Sequence, residues 1–146
     1  MTATRFDQLN IVSDDLDATV AFYRQLGVEF GEPARSMGGE PFHASARSEA
    51  AALEADSASF ARFWNQGCAN QPDLGGRVVL GLRVPEPTEV DRLYAEITAA
   101  GHKGLQPPCD GFWGARYAIV EDPNGIAVGL MSGADEVHRS PPPEFT

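Results

Sequence analysis

The chain has 146 residues, 42% hydrophobic and 22% charged, a composition typical of one globular domain or two small similar halves. No apolar run approaches the roughly 20 residues that a membrane helix needs, and the opening MTATRFDQLN lacks the apolar core of an export signal. The net charge of −10 argues against a nucleic-acid partner, because such binding needs clustered Lys and Arg. The spacing of Cys68 and Cys109 predicts reduced thiols in a cytoplasmic protein.

The first half of the sequence predicts a strand, a helix and three short extended segments. Residues 6–12 (FDQLNIV) alternate, with Leu9 and Ile11 facing one way and Gln8 and Asn10 the other. The segment that follows, residues 13–15 (SDD), can cap a helix. This helix carries one apolar stripe and is predicted to end at Gly27. The stripe consists of Leu16, Val20, Tyr23 and Leu26. The three extended segments are predicted at 28–30, 40–48 and 50–56. A short helical turn is predicted at 57–64.

The second half repeats this order after a polar linker at residues 65–76. Residues 77–84 predict a strand, and Thr88 is the predicted cap of a helix that Gly101 ends. Further extended segments are predicted at 104–105, 115–120 and 126–131. A repeat of this length predicts two similar modules, at about 5–64 and 77–132, with a helix on one face of each sheet and a cavity between the other faces. The tail, residues 133–146, has no apolar period and is predicted to be loose.

Three segments carry a family resemblance: QLNIVSDDLDATVAFYRQLG, TEVDRLYAEITAAG and FWGARYAIVEDPNGIAVGLMS. Together they resemble the vicinal oxygen chelate superfamily, which includes glyoxalases, bleomycin-resistance proteins and extradiol dioxygenases. The most specific element is WGxRYxxxxDPxG at residues 113–125. The resemblance implies an α+β fold with two βαβββ modules, a cup-shaped sheet and helices on its outer face. It also implies a homodimer, often with sites built between two modules.

The resemblance further implies four metal-ligand positions, on the first and last strands of each module. They match Gln8, Glu54, Val79 and Gly129. Val79 and Gly129 carry no donor atom, and the other two side chains alone would hold a divalent ion weakly. We therefore expect no metal cofactor, with a divalent metal as the alternative if His43 substitutes for a missing ligand.

Strand alternation predicts which residues line the cavity. These are Gln8, Asn10, Glu54, Asp56, Val79, Gly81, Arg83, Ala127 and Gly129. The small residues among them are expected to widen a pocket. Aromatic residues that flank this face in sequence are Phe60, Phe63, Trp64, Phe112, Trp113 and Tyr117, although each of them could equally be core or interface. The predicted ligand-binding residues are Gln8, Asn10, His43, Glu54, Trp64, Arg83, Trp113, Tyr117 and Gly129.

These observations favour a metal-independent protein that binds a planar or aromatic small molecule, such as an antibiotic or secondary metabolite. The acidic composition suits a cationic ligand, although it also serves solubility alone. The alternative is a lyase, isomerase or dioxygenase, which uses a divalent metal or metal-free acid–base chemistry by Glu54 or His43. A third possibility is an interaction module without a ligand.

Overall fold

The structure, a computed structural model of the chain, describes residues 6–67, 76 and 78–142. The chain divides into a first unit, Met1–Asp73, and a second unit, Leu74–Thr146. Most of the predicted linker, including Cys68, lies outside the described residues. Within the described ranges, no helix is long and apolar enough to cross a membrane.

The first unit is one four-stranded sheet with a helix packed on it. Its elements are β1 (Gln8–Ser13), α1 (Leu16–Gln25), β2 (Ala34–Arg35), β3 (Pro41–Arg47), β4 (Ala52–Ser57) and α2 (Ala58–Trp64). The strand order is β1-β4-β3-β2. β1 pairs with β4 in parallel, and the remaining pairs are antiparallel.

The core of the first unit lies between α1 and the sheet. The buried side of α1 includes Tyr23, which is wholly buried, and its ring meets the Phe22 ring edge-on at 5.2 Å. The sheet contributes Ile11 and small residues such as Ala44 and Ala55, which let the helix approach closely. The predicted strand and helix patterns are both observed here, and polar side chains fall on the opposite face of the sheet.

Asp15 caps α1 as the SDD segment predicts, since its side chain accepts a hydrogen bond from the Ala18 amide at 3.0 Å. Glu86 is the corresponding cap residue of α3 (Pro87–Ala99), but it makes no side-chain cap bond. We expect Asp15→Ala to lower the free energy of unfolding by about 1 kcal/mol. Glu86→Ala is the matched control, with a change below about 0.5 kcal/mol. Urea denaturation checks both, and equal losses would contradict the assignment of the cap.

The second unit repeats the topology of the first. Its further elements are β5 (Val79–Arg83), α3, β6 (Gly104–Asp110), β7 (Arg116–Glu121), β8 (Ala127–Met131) and a short 3-10 helix (Glu136–His138). The order is β5-β8-β7-β6, and β5 pairs with β8 in parallel. The predicted α+β class with two βαβββ modules is confirmed.

Three local predictions are wrong. Residues 28–30 form no strand, because the Arg24 side chain binds the carbonyl oxygens of Phe30 and Gly31 that a neighbouring strand would use. Thr88 is not the cap of α3, because Pro87 occupies the first helical turn, where its missing N–H carries no penalty. β6 is longer than predicted, since an edge strand tolerates prolines at its irregular positions.

Arg116 of the WGxRY motif joins three elements of the second unit. Its guanidinium binds Asp91 of α3 at 2.6 Å and Asp110 of β6 at 3.1 Å. The hydrogen bond from Arg116 lowers the pKa of the Asp91 carboxyl. Arg116 therefore holds α3 against its sheet, and this residue of the motif has a structural role.

The tail differs from its prediction as a loose extension. The Asp135 amide donates to the Gly114 carbonyl at 2.9 Å, and the Ser140 amide donates to the Phe112 carbonyl at 2.8 Å. Trp113 and Arg139 form a β-bridge between these two bonds. Residues 133–140 are thus held along the loop before β7, and residues 143–146 lie outside the described part of the chain.

Candidate functional site

A polar cluster covers the face of the first unit's sheet opposite to its apolar core. The register pairs Asn10 with Glu54 across β1 and β4, and Asp56 with His43 across β4 and β3. Paired residues project to the same face of a sheet. Gln8 lies two residues before Asn10, so it joins the same face. We call these five side chains, Gln8, Asn10, His43, Glu54 and Asp56, the polar cluster.

Four side chains of the polar cluster form a hydrogen-bonded chain. Gln8 Nε2 donates to Asn10 Oδ1 at 3.0 Å, and Asn10 Nδ2 donates to Asp56 Oδ2 at 2.9 Å. The other oxygen of Asp56 lies 2.6 Å from His43 Nδ1. Asp56 is only 1% exposed, so its carboxylate depends on these two donors. This arrangement assigns the hydrogen of the neutral imidazole to Nδ1.

Glu54 is buried but incompletely satisfied. Its Oε1 lies 3.8 Å from the exposed Arg47 guanidinium, and its Oε2 lies 3.4 Å from His43 Nε2. Oε2 is fully buried and makes no hydrogen bond with any described residue. A buried acceptor without a partner is destabilising by about 1–3 kcal/mol. A hydrogen-bond donor from a ligand would remove that penalty.

The polar cluster forms the floor of an open depression of about 290 Å³. Its aromatic side comes from α2, where Phe60 and Trp64 are one helical turn apart and lie on the same side. Ser57 caps this helix by accepting from the Phe60 amide, which starts α2 directly after β4. Phe63 does not line the depression and is largely exposed.

The structure thus brings together five of the predicted ligand-binding residues in the first unit. They are Gln8, Asn10, His43, Glu54 and Trp64. The prediction of ligand residues omitted Asp56 and Phe60. Strand alternation already places Asp56 on this face, and the i, i+4 spacing to Trp64 is the signal that could have identified Phe60.

The second unit holds the other predicted positions on one face of its own sheet. The register pairs Gly81 with Gly129, and Val79 with Ala127. Arg83 and Tyr117 both pair with Met131, so these side chains share that face. The alternation on which the predictions rest is therefore present in both units.

Gly129 does not open a pocket, which corrects the prediction for this residue. A Cβ atom at this position would lie 2.9 Å from Tyr117 Oη and 3.1 Å from Tyr117 Cε2. The phenol ring therefore covers the glycine backbone. At Gly81, by contrast, a Cβ atom would meet nothing within 4 Å.

Trp113 belongs to an aromatic cluster of the second unit. Its ring centre lies 5.8 Å from that of Tyr117 and 5.2 Å from that of Phe112, both edge-on. The indole also lies against Gly111, where no Cβ would fit. Trp113 is half-buried in this packing, and its predicted role as a ligand-binding residue stays a prediction.

The side chains at the four metal positions do not fit a divalent ion. Val79 and Gly129 supply no donor, and the Tyr117 ring fills the space above Gly129. Gln8 and Glu54 are the two positions that supply oxygen donors, which is too few to hold a divalent ion firmly. Across the described residues, no group of three or more His, Cys, Asp or Glu side chains is placed to hold a metal ion.

Comparison with known proteins gives the family. The profile of the Glyoxalase/Bleomycin resistance protein/Dioxygenase superfamily matches residues 5–130, and the chain belongs to this superfamily. No curated protein has a matching sequence.

Solved structures share the fold at low sequence identity. A glyoxalase/bleomycin resistance protein/dioxygenase family enzyme from Burkholderia phytofirmans PsJN is 22% identical, with a TM-score of 0.73 over 88% of this chain and 98% of that one. Lactoylglutathione lyase from Agrobacterium tumefaciens is 17% identical, with a TM-score of 0.60 over 91% and 96%. TioX from Micromonospora sp. ML1 is 20% identical, with a TM-score of 0.58 over 88% and 98%.

Proposed function

We propose that this protein binds a planar or aromatic small molecule, such as an antibiotic or secondary metabolite, without a metal ion. The depression of the first unit is the proposed site. The observation that carries the proposal is Glu54 Oε2, a buried carboxylate oxygen without a hydrogen bond, beside the aromatic side chains of α2. A flat ligand with a cationic or N–H group would compensate the negative charge of the Glu54 carboxylate while it stacks on the aromatic side.

The lining of the depression also favours a ligand with positive charge. Glu54 and Asp56 contribute two carboxylates, and no Lys or Arg is among the described residues that line it. Trp64 is 46% exposed and offers its indole face at the edge. A cation over an indole adds electrostatic attraction to stacking. The class we propose is therefore a planar compound with a cationic or N–H donor group.

The alternative is a divalent-metal-dependent lyase, isomerase or dioxygenase. Its support is the fold shared with proteins such as the Agrobacterium lactoylglutathione lyase. The donor-free positions 79 and 129 weigh against it. Homodimerisation and a cytoplasmic location remain predictions from the sequence.

Fluorescence titration tests the proposed binding. The chain has two tryptophans, so a Trp113→Phe variant reports on Trp64 alone. We expect the planar cation proflavine to quench Trp64 saturably, and the planar anion naphthalene-2-sulfonate to bind at least ten times more weakly. Glu54→Gln should lower the affinity for proflavine about 10- to 100-fold, since a hydrogen bond to a charged group contributes about 1.5–3 kcal/mol.

Glu49→Gln is the matched control, because Glu49 is an exposed carboxylate in the turn after β3. The affinity of the Glu49→Gln variant for proflavine should equal that of its Trp113→Phe parent. Equal affinities for the Glu54→Gln variant and its parent would refute the role of Glu54. Quenching that never saturates would refute the site itself.

A further inference from the structure

We propose that His43 is a metal-independent general base, positioned by Asp56, which removes a proton from a planar substrate bound in the depression. This inference rests on the proposed ligand binding in the same depression, and it adds a chemical step to it. The supporting observations are the orientation of the imidazole, its free nitrogen and its neighbouring carboxylates.

Asp56 fixes the His43 ring from a buried position. Its Oδ1 lies 2.6 Å from His43 Nδ1, and its Oδ2 accepts from Asn10 at 2.9 Å. Gln8 in turn holds the Asn10 side chain. A carboxylate held on both oxygens sets the tautomer and the ring plane of its histidine, so that the lone pair of the neutral ring is at Nε2.

His43 Nε2 is available to a ligand. No hydrogen-bond partner for Nε2 exists among the residues that the structure describes, and its 3.4 Å approach to Glu54 Oε2 falls outside hydrogen-bond geometry. The side chain is 37% exposed and lines the depression. A general base needs an accessible lone pair within reach of the substrate proton, and we assign this role to Nε2.

Two carboxylates flank the imidazole ring that accepts the proton. Asp56 and Glu54 lie on opposite nitrogens of the ring, at 2.6 Å and 3.4 Å. The proton that Nε2 takes from a substrate would therefore lie beside the Glu54 carboxylate. The same neighbours repel a substrate that carries negative charge near the reacting carbon.

The charge of the site limits the substrate class. No Lys or Arg side chain among the described residues lines the depression to hold an enolate oxygen. A substrate whose own leaving group accepts the electron pair needs no such cation. The class is a flat heteroaromatic compound with an acidic C–H bond next to a weak ring bond.

The benzisoxazole ring opening is a balanced example of this step. His43 Nε2 takes the proton from C3, and the electron pair of the C–H bond forms the third bond of a nitrile. The N–O bond breaks, and its electron pair stays on oxygen as a phenolate. The imidazolium then releases its proton to water, so no oxidant or co-reactant is needed.

The test uses 5-nitrobenzisoxazole as the probe, with the phenolate product followed by its absorbance. We expect saturable turnover by the wild-type protein above the rate with an equal concentration of free imidazole. His43→Ala should lower kcat about 100-fold, within the usual contribution of a general base. Asp56→Asn should lower kcat about 10-fold or more with little change in KM for this uncharged probe, because Asp56 is almost fully buried and acts through the position of the base.

His138→Ala is the matched control. His138 lies 3.4 Å from Asp135, but it is an exposed pair in the tail of the second unit, with 74% of the histidine side chain exposed. Its kcat should equal that of the wild type. A His43→Ala rate equal to that of the wild type would overturn the proposal.

Two further readouts separate this proposal from the binding proposal and from loss of folding. Turnover of the probe no faster than with free imidazole refutes the base, and saturable quenching of Trp64 by proflavine in the Trp113→Phe variant then leaves the binding proposal intact. Absence of proflavine quenching together with absence of turnover refutes both. Nitrogen-15 NMR of the wild-type protein, at a pH where the ring is neutral, should find the hydrogen of His43 on Nδ1. A hydrogen on Nε2 would overturn the proposal without any variant.

Discussion

The Gly129→Glu substitution is expected to lower the free energy of unfolding of the second unit by about 1–3 kcal/mol and to create no metal site. The Cβ atom alone would enter the space of the Tyr117 ring, and overpacking of this kind destabilises by about 1–3 kcal/mol. The donor that the superfamily resemblance implies at this position therefore cannot be restored by one substitution.

Urea denaturation and elemental analysis of Gly129→Glu measure the two parts of this expectation. Gly81→Ala is the control, since Gly81 pairs with Gly129 in register but has open space where a Cβ would stand. We expect that variant to be within about 0.5 kcal/mol of the wild type. Tyr117→Ala combined with Gly129→Glu should recover part of the loss. A stable Gly129→Glu protein with one metal ion per chain would show this account to be wrong.

The Gly114→Ala substitution is expected to lower the free energy of unfolding by about 2–4 kcal/mol. Gly114 has φ +92°, where a side chain is strained, and its added Cβ would overlap the backbone carbonyl of Asp135. The overlap can be relieved only if the tail moves away from the loop before β7. Limited proteolysis should therefore cut residues 133–140 faster in this variant.

Gly125→Ala separates strain from steric overlap. Gly125 has a similar φ of +81°, but nothing lies within 4 Å of the added Cβ. Gly125→Ala should therefore lower the free energy of unfolding by only about 1–2 kcal/mol, which is the cost of backbone strain alone. Equal losses at the two positions, with an unchanged rate of tail cleavage, would indicate that the tail contributes nothing to stability.

Local patterns were sufficient for most of the fold. The alternation around Leu9 and Ile11 and the stripe of α1 are set by residues a few positions apart, so they can be read from sequence directly. β2 and the full length of β6 could not be predicted in this way. Both are edge strands, one only two residues long and one containing prolines, and their pairing depends on neighbours distant in sequence.

The sequence predicted which face of the sheet carries the residues of the candidate site, but it did not predict which of these residues are in contact. Alternation places His43, Glu54 and Asp56 on one side, but only the register of β3 against β4 decides that Asp56 meets the imidazole. At Gly129 the missing information was the position of the Tyr117 ring. A glycine in sequence does not distinguish open space from space that another side chain fills.

The strand pairing within each unit has a consequence for protein synthesis. All pairings of the first unit join residues between Gln8 and Ser57, and its helix α2 ends at Trp64. The ribosome has therefore released every strand of the polar cluster before it has made most of the second unit. Because domains generally fold as units with the N-terminal one first, the depression can assemble while translation continues.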